Sequence, residues 1–190
     1  LRFLLFARML WDKGVGEYIE AARLVRKRYP DVEFCLLGFL DVKNPAAISS
    51  EQIKEWVSEG VVSYLGVTDD VRPILASVDC VVLPSYRGEG APRTLLEAAA
   101  MGRPVVTTDA VGCREVVDDG INGFLCKVRD AQDLAEKLER IIQLSPEERA
   151  AMGRNGRAKV EREFSERRVV MRYLETIETI MREQSKKTDV

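Results

Sequence analysis

Short apolar runs recur along this chain, and most are followed by stretches in which apolar residues return every three or four positions. The runs at 2–6, 32–37, 61–65, 80–83, 105–107 and 123–126 read as β-strands. Between the first two, Val15, Ile19, Ala22 and Val25 fall on one face of a helix predicted over 15–29, and similar amphipathic segments separate the later strands. Strands alternating with helices predict a parallel sheet, and strands apolar on both faces need helices on both sides. The expected fold is therefore α/β, a doubly wound, Rossmann-like parallel sheet. Beyond Cys126 the pattern is helical only: 130–143, then 147–164 with a break near Gly153 and Gly156, then 166–182. In the last of these Val169, Val170, Tyr173, Leu174, Ile177, Ile180 and Met181 form a stripe that must be buried against something. Glu is mixed with Lys and Arg on the polar side, which favours packing over a membrane-surface role. Residues 184–190 read as a frayed tail, and a start inside a strand pattern at Leu1 reads as a piece cut from a longer protein.

Composition narrows the chemistry. The 190 residues are 46% hydrophobic and 32% charged, about one domain's worth of soluble globular protein. A net charge of −2 gives no overall field toward nucleic acid, so an anionic ligand must be held by a few placed basic residues. The absence of histidine removes imidazole as base, metal ligand and pH switch. Cys35, Cys80, Cys113 and Cys126 form no CxxC pair, and Cys35 and Cys80 lie in strand-like runs as small hydrophobes. These features predict a reduced, cytoplasmic protein without structural zinc. No apolar run approaches the roughly 18 residues of a membrane span, and no signal peptide precedes the first strand.

In open parallel sheets ligands bind at the carboxyl ends of the strands, so the strand-to-helix loops carry the candidate chemistry. After the fourth strand comes Gly88-Glu89-Gly90-Ala91-Pro92, then a helical run through Thr94, Leu95 and Glu97. The glycines let a ligand approach the backbone, and Pro92 fits the first turn of a helix whose free N–H groups make an anion site. Glu89 and Glu97 place one carboxylate in the loop and another about one and a half turns into the helix, a pair suited to hydroxyl-rich ligands. After the first strand, Arg8 and Lys13 put two cations in one loop, matching a diphosphate. A GxGxxG fingerprint is missing there, which disfavours nicotinamide chemistry. Asp69-Asp70 and Asp118-Asp119 read as helix-starting aspartates without a metal, Trp11 and Trp56 as packing residues, and Arg93 as surface charge.

These marks come in a fixed order: the Arg8 and Lys13 loop, the Glu89 and Glu97 pair, Gly102-Arg103-Pro104-Val105-Val106, Gly112-Cys113-Arg114-Glu115-Val116-Val117, and Gly120-Ile121-Asn122-Gly123-Phe124-Leu125. In that order they resemble the retaining glycosyltransferases of the two-lobed GT-B fold, family 4 or glycosyl transferases group 1, which includes sucrose synthase and many bacterial lipopolysaccharide enzymes. The resemblance implies the C-terminal, donor-binding half, with residues 1–164 as the nucleotide-sugar domain, 165–183 as a crossover helix, and an acceptor lobe upstream. It implies that Arg8 and Lys13 hold the donor diphosphate and Glu97 the ribose, while Glu89 contacts the sugar hydroxyls. Arg8, Lys13 and Glu89 would be the catalytic set. Gly90, Ala91, Thr94 and Leu95 would offer backbone N–H groups, and Gly38 and Val67 would flank the base.

The implied reaction moves a hexose or aminosugar from a nucleotide-sugar, UDP-linked by preference, to a glycan or lipid-linked acceptor in surface-polysaccharide synthesis. It retains configuration and needs neither metal nor cofactor. Peripheral membrane association of the full-length enzyme is a further expectation, and the piece alone is expected to transfer little. Many relatives carry Glu-Gly-Phe-Gly where this chain has Glu89-Gly90-Ala91-Pro92, a difference that bears on donor choice. Two other readings use the same site: a nucleotide-sugar-binding module without turnover, and a two-lobed sugar-nucleotide epimerase.

Overall fold

The computed structural model describes residues 1–88 and 90–188. Six parallel strands form one sheet in the order β3-β2-β1-β4-β5-β6. They are β1 (Arg2–Phe6), β2 (Glu33–Leu37), β3 (Ser63–Tyr64), β4 (Cys80–Leu83), β5 (Val105–Thr108) and β6 (Gly123–Cys126). The helices are α1 (Val15–Arg26), α2 (Ser50–Ser58), α3 (Arg72–Ala76), α4 (Arg93–Ala100), α5 (Ala131–Gln143), α6 (Pro146–Glu163) and α7 (Glu166–Thr188). The chain winds outward from β1 to β3, returns beside β1 as β4, and winds the other way to β6. This is the doubly wound Rossmann arrangement, and its crevice lies where the order reverses, at the carboxyl ends of β1 and β4.

The period-2 alternation of side chains explains why helices sit on both faces. Phe3 and Leu5 of β1 join Phe34 and Leu36 of β2 in a core with Tyr18, Ile19 and Val25 of α1 and Leu134, Leu138 and Ile141 of α5. On the opposite face Leu4, Cys35, Leu37, Val81 and Leu83 pack with Leu75 of α3 and Leu95, Ala98 and Ala99 of α4. Burying each such leucine contributes about 1.5–3 kcal/mol. All four cysteines are buried and unbridged, as the strand-like settings of Cys35 and Cys80 indicate.

Several boundaries differ from the sequence-based expectation. The third strand contracts from 61–65 to Ser63–Tyr64, because it is an edge strand paired only to β2, while Val61 and Val62 are buried off the ladder. The first helix ends at Arg26 instead of residue 29, where the N–H groups of Arg28 and Tyr29 turn back onto the Val25 carbonyl. The expected break at Gly153 and Gly156 does not occur, and α6 runs straight through both. These glycines are packing devices: a Cβ at Gly153 would overlap the carbonyl of Gly102 in the turn after α4, and Gly156 faces Ala99 and Asn122.

Among the described residues the stripe on α7 stays largely exposed: Val170, Leu174, Ile177 and Ile180 are each about half exposed and Tyr173 and Met181 more so. The side chain of Val169 lies outside the described residues. So do residues 189–190 of the expected tail, whose preceding residues continue α7 to Thr188. Among the described residues no helix is long and apolar enough to cross a membrane.

Candidate functional site

Three loops meet at the carboxyl ends of β1, β2 and β4. The loop after β1 is tied to the loop after β2: the N–H groups of Ala7, Met9 and Trp11 donate to the carbonyls of Leu37, Phe39 and Ala46 at 3.0, 3.0 and 2.8 Å. Met9 and Leu10 are thereby buried, and Arg8 just before them is exposed at the crevice. Gly38 permits this approach. Its φ is +142°, and a Cβ there would overlap the carbonyl of Ala7. Tyr64 also donates its hydroxyl to the Gly38 carbonyl at 2.7 Å, and burial and nearby Asp41 raise the Tyr64 pKa, keeping that donor protonated.

A 3₁₀ turn at Trp11–Lys13 ends on Gly14, whose φ of +75° allows the turn to rest on the Pro84 carbonyl just beyond β4. The Asp12 carbonyl accepts the Ser85 hydroxyl and the Tyr86 N–H, each at 3.1 Å. Helix α4 follows. Pro92 is its N-cap and not, as expected, a residue of its first turn. The Thr94 hydroxyl donates to the Phe6 carbonyl at 3.0 Å, pinning the start of α4 to the end of β1. The Thr94 hydroxyl is thus committed to the fold, and the Leu95 N–H bonds the Pro92 carbonyl at 3.0 Å while its side chain is fully buried. The first-turn N–H groups of Arg93 and Thr94 have no intrahelical acceptor.

Two clefts result. One, about 300 Å³, is lined by Phe6, Ala7, Arg8, Leu37, Gly38, Phe39, Val67, Thr68, Asp69, Val71 and Glu97. The other, about 280 Å³, is lined by Arg8, Leu10, Asp12, Lys13, Asn44, Arg87 and Gly88. Arg8 borders both: the candidates Gly38, Val67 and Glu97 share the first cleft with it, and Lys13 shares the second. Gly90, Ala91, Thr94 and Leu95 line neither cleft, and Glu89 lies outside the described residues. Arg93 is a surface residue, its guanidinium 3.6 Å from Glu97 across one helical turn.

The sequence did not single out Phe39 and Thr68 in the first cleft, or Asp12, Asn44 and Arg87 in the second, and it marked Asp69 only as a helix-starting aspartate. They occupy loops the carboxyl-end rule points to, but no spacing marks them. Of the aspartate pairs, Asp70 starts a helix as expected, accepting the Arg72 N–H at 3.0 Å, and the Arg72 guanidinium holds its pKa below the usual carboxylate range. Asp118 and Asp119 instead secure the turn before β6. Asp118 accepts Lys159 Nζ at 2.7 Å, and Asp119 accepts the Leu125 N–H at 2.8 Å. A larger cavity, about 670 Å³, lies along α7 between Glu115 and Tyr173 and contains none of the candidate residues. Among the described residues no group of three or more Cys, Asp or Glu side chains could hold a metal ion.

Comparison with known proteins finds glycosyltransferases over most of the length of this chain. The chain is 33% identical over 179 residues to the N,N'-diacetylbacillosaminyl-diphospho-undecaprenol alpha-1,3-N-acetylgalactosaminyltransferase of Campylobacter jejuni, covering 94% of this chain and 45% of that protein. It therefore spans about half the length of the curated relatives it matches. Anabaena Alr3699/HepE, solved in complex with UDP, superposes with a TM-score of 0.81 at 27% identity, over 94% of this chain and 48% of that one. The C-terminal domain of the glycosyl transferase group 1 family protein LpcC from Francisella tularensis gives 0.73 at 27% identity, over 87% of this chain and 86% of that domain. The family described as glycosyl transferases group 1 matches residues 1–144, and the chain belongs to that family.

Proposed function

We propose that this chain is the donor-binding domain of a retaining glycosyltransferase of family 4. In this reading it transfers a sugar from a nucleoside diphosphate, UDP by preference, to a glycan or lipid-linked acceptor in surface-polysaccharide synthesis on the cytoplasmic side. The observation that carries the reading is the double position of Arg8, which borders a cleft with Glu97 and a cleft with Lys13 at the point where the strand order reverses. A nucleotide-sugar has that layout: a base and ribose, joined by a diphosphate to a sugar. Glu97 accepts from ribose hydroxyls, Gly38 and Val67 flank the base, and Arg8 and Lys13 face the diphosphate. Glu89 holds the sugar hydroxyls.

The chemistry follows from charge. As the glycosidic bond breaks, negative charge grows on the leaving diphosphate. Fixed cations and the N–H groups at the start of α4 stabilise that charge without reorganising. The chain's own cations thus do what a metal does elsewhere. Support for UDP comes from HepE, solved with both UDP and UDP-glucose. A lipid-linked acceptor finds support in the undecaprenol-linked substrate named for the Campylobacter relative. The acceptor lobe belongs to the part of such relatives that this chain does not match, and α7 would cross back to it; alone, this chain transfers little.

The test is titration calorimetry of this chain with UDP. Arg8→Ala and Glu97→Ala should each weaken binding by about tenfold or more, the worth of a hydrogen bond to a charged group. Wild-type affinity in both variants would reject the assignment.

A further inference from the structure

The phosphate-side cleft contains one more cation than the donor reading uses. Arg87 lines it with Arg8 and Lys13, and Asp12 is the carboxylate among them. Asp12 holds this part of the site together. Its carbonyl anchors Ser85 and Tyr86, the two residues before Arg87. Its side chain is only 13% exposed, with Oδ1 shut away from any donor among the described residues and Oδ2 3.5 Å from Arg87 Nη1. A carboxylate buried in this way is costly unless a cation faces it.

As a staple between loops, however, the pair is weak. At 3.5 Å it is longer than the roughly 2.7–2.9 Å of a charge-assisted hydrogen bond. It engages one of the guanidinium's N–H donors, and the Arg87 side chain is 75% exposed. Asp12 therefore directs Arg87 without consuming it.

We propose that Arg87 is a third diphosphate-binding cation, aimed over the cleft by Asp12, and that it senses the charge the diphosphate gains on losing its sugar. The proposal rests on the donor reading above. A sugar diphosphate carries two negative charges, one on each phosphate. A released nucleoside diphosphate carries about three at neutral pH, because its terminal phosphate loses a second proton near pH 6. Arg8 and Lys13 meet the charge present in both ligands. Arg87, whose exposed side chain is free to turn over the cleft, meets the charge that appears at the terminal phosphate.

The experiment is calorimetric titration of this chain with UDP, GDP and ADP, each beside its hexose conjugate (UDP-glucose, GDP-mannose and ADP-glucose). For the nucleotide that wild type binds, Arg87→Ala and Arg87→Gln should weaken the free diphosphate by about tenfold and the sugar conjugate by about threefold or less. Arg87→Lys should restore most of the difference. Equal weakening of both ligands, as a purely structural loop contact predicts, overturns the assignment, as does unchanged affinity. Failure of the wild-type chain to bind any of the six ligands overturns the donor reading and this one with it. Binding lost in Arg8→Ala but kept in both Arg87 variants sinks the Arg87 assignment alone.

Discussion

At the scale of single residues, this site is made by backbone approaches as much as by charges. Arg8 reaches two clefts because Ala7 and Met9 on either side are hydrogen-bonded to the neighbouring loop and because Gly38 has no Cβ to hold that loop off. Burial has a measurable consequence at the cysteines. It pushes the Cys126 thiol up from its ordinary 9.0 to about 12, and Cys80, fully buried, is also raised. Above pH 9 the unfolded chain gives up these protons while the native chain keeps them. The unfolded state then binds fewer protons, so stability falls as pH rises, by about 1.4 kcal/mol per pH unit for each thiol. Urea unfolding at pH 8.0 and 10.5 should show this loss, with a shallower slope in Cys126→Ala. A flat profile would contradict the burial of these thiols.

At the scale of elements, α6 distinguishes two kinds of glycine. Both read in sequence as helix breakers, since glycine in a helix costs about 1 kcal/mol relative to alanine. Gly153 sits where any Cβ meets the Gly102 carbonyl, a backbone atom that cannot swing aside. The nearest atoms to a Cβ at Gly156 are side-chain carbons at ordinary contact distance, 3.5 and 3.6 Å. Gly153→Ala is therefore expected to destabilise by about 1–3 kcal/mol, whereas Gly156→Ala should be neutral or stabilise by about 0.5–1 kcal/mol. Chemical denaturation separates the two, and a similar loss in both would mean that the helix tolerates neither. The strands show the same contrast: β1, β4 and β6 coincide with their apolar runs, whereas the edge strand β3 keeps only two residues because one neighbour pairs it.

Across the whole molecule, the two faces of the sheet are closed and the face of α7 is open. Leu174 and Ile177 are about half exposed, while Leu138 of α5 is fully buried. Leu174→Asp and Ile177→Asp should thus change the stability of this chain by less than about 0.5 kcal/mol. Leu138→Ala should cost about 2–5 kcal/mol. Thermal and urea unfolding of the three variants is the check, and a large loss in the α7 variants would place that face in a contact within this chain. Among the described residues, neither cleft that Arg8 borders takes a lining residue from α7.

By itself the sequence determined the alternation of strands and helices, the doubly wound class, and the strand-to-helix loops in which the candidates Arg8, Lys13 and Glu97 fall. Those are set by local periodicity and by residue types in fixed order, which the chain displays without being folded. Only the tertiary structure decided which loop residues face the cleft. Arg87 and Asp12 lie 75 positions apart and meet because β4 returns beside β1. The Thr94 hydroxyl likewise meets the Phe6 carbonyl, 88 residues earlier in the chain, only because α4 starts beside the end of β1. An amphipathic stripe states that a face needs a partner, and α7 carries such a stripe. The partner itself is a long-range contact, which local periodicity does not encode.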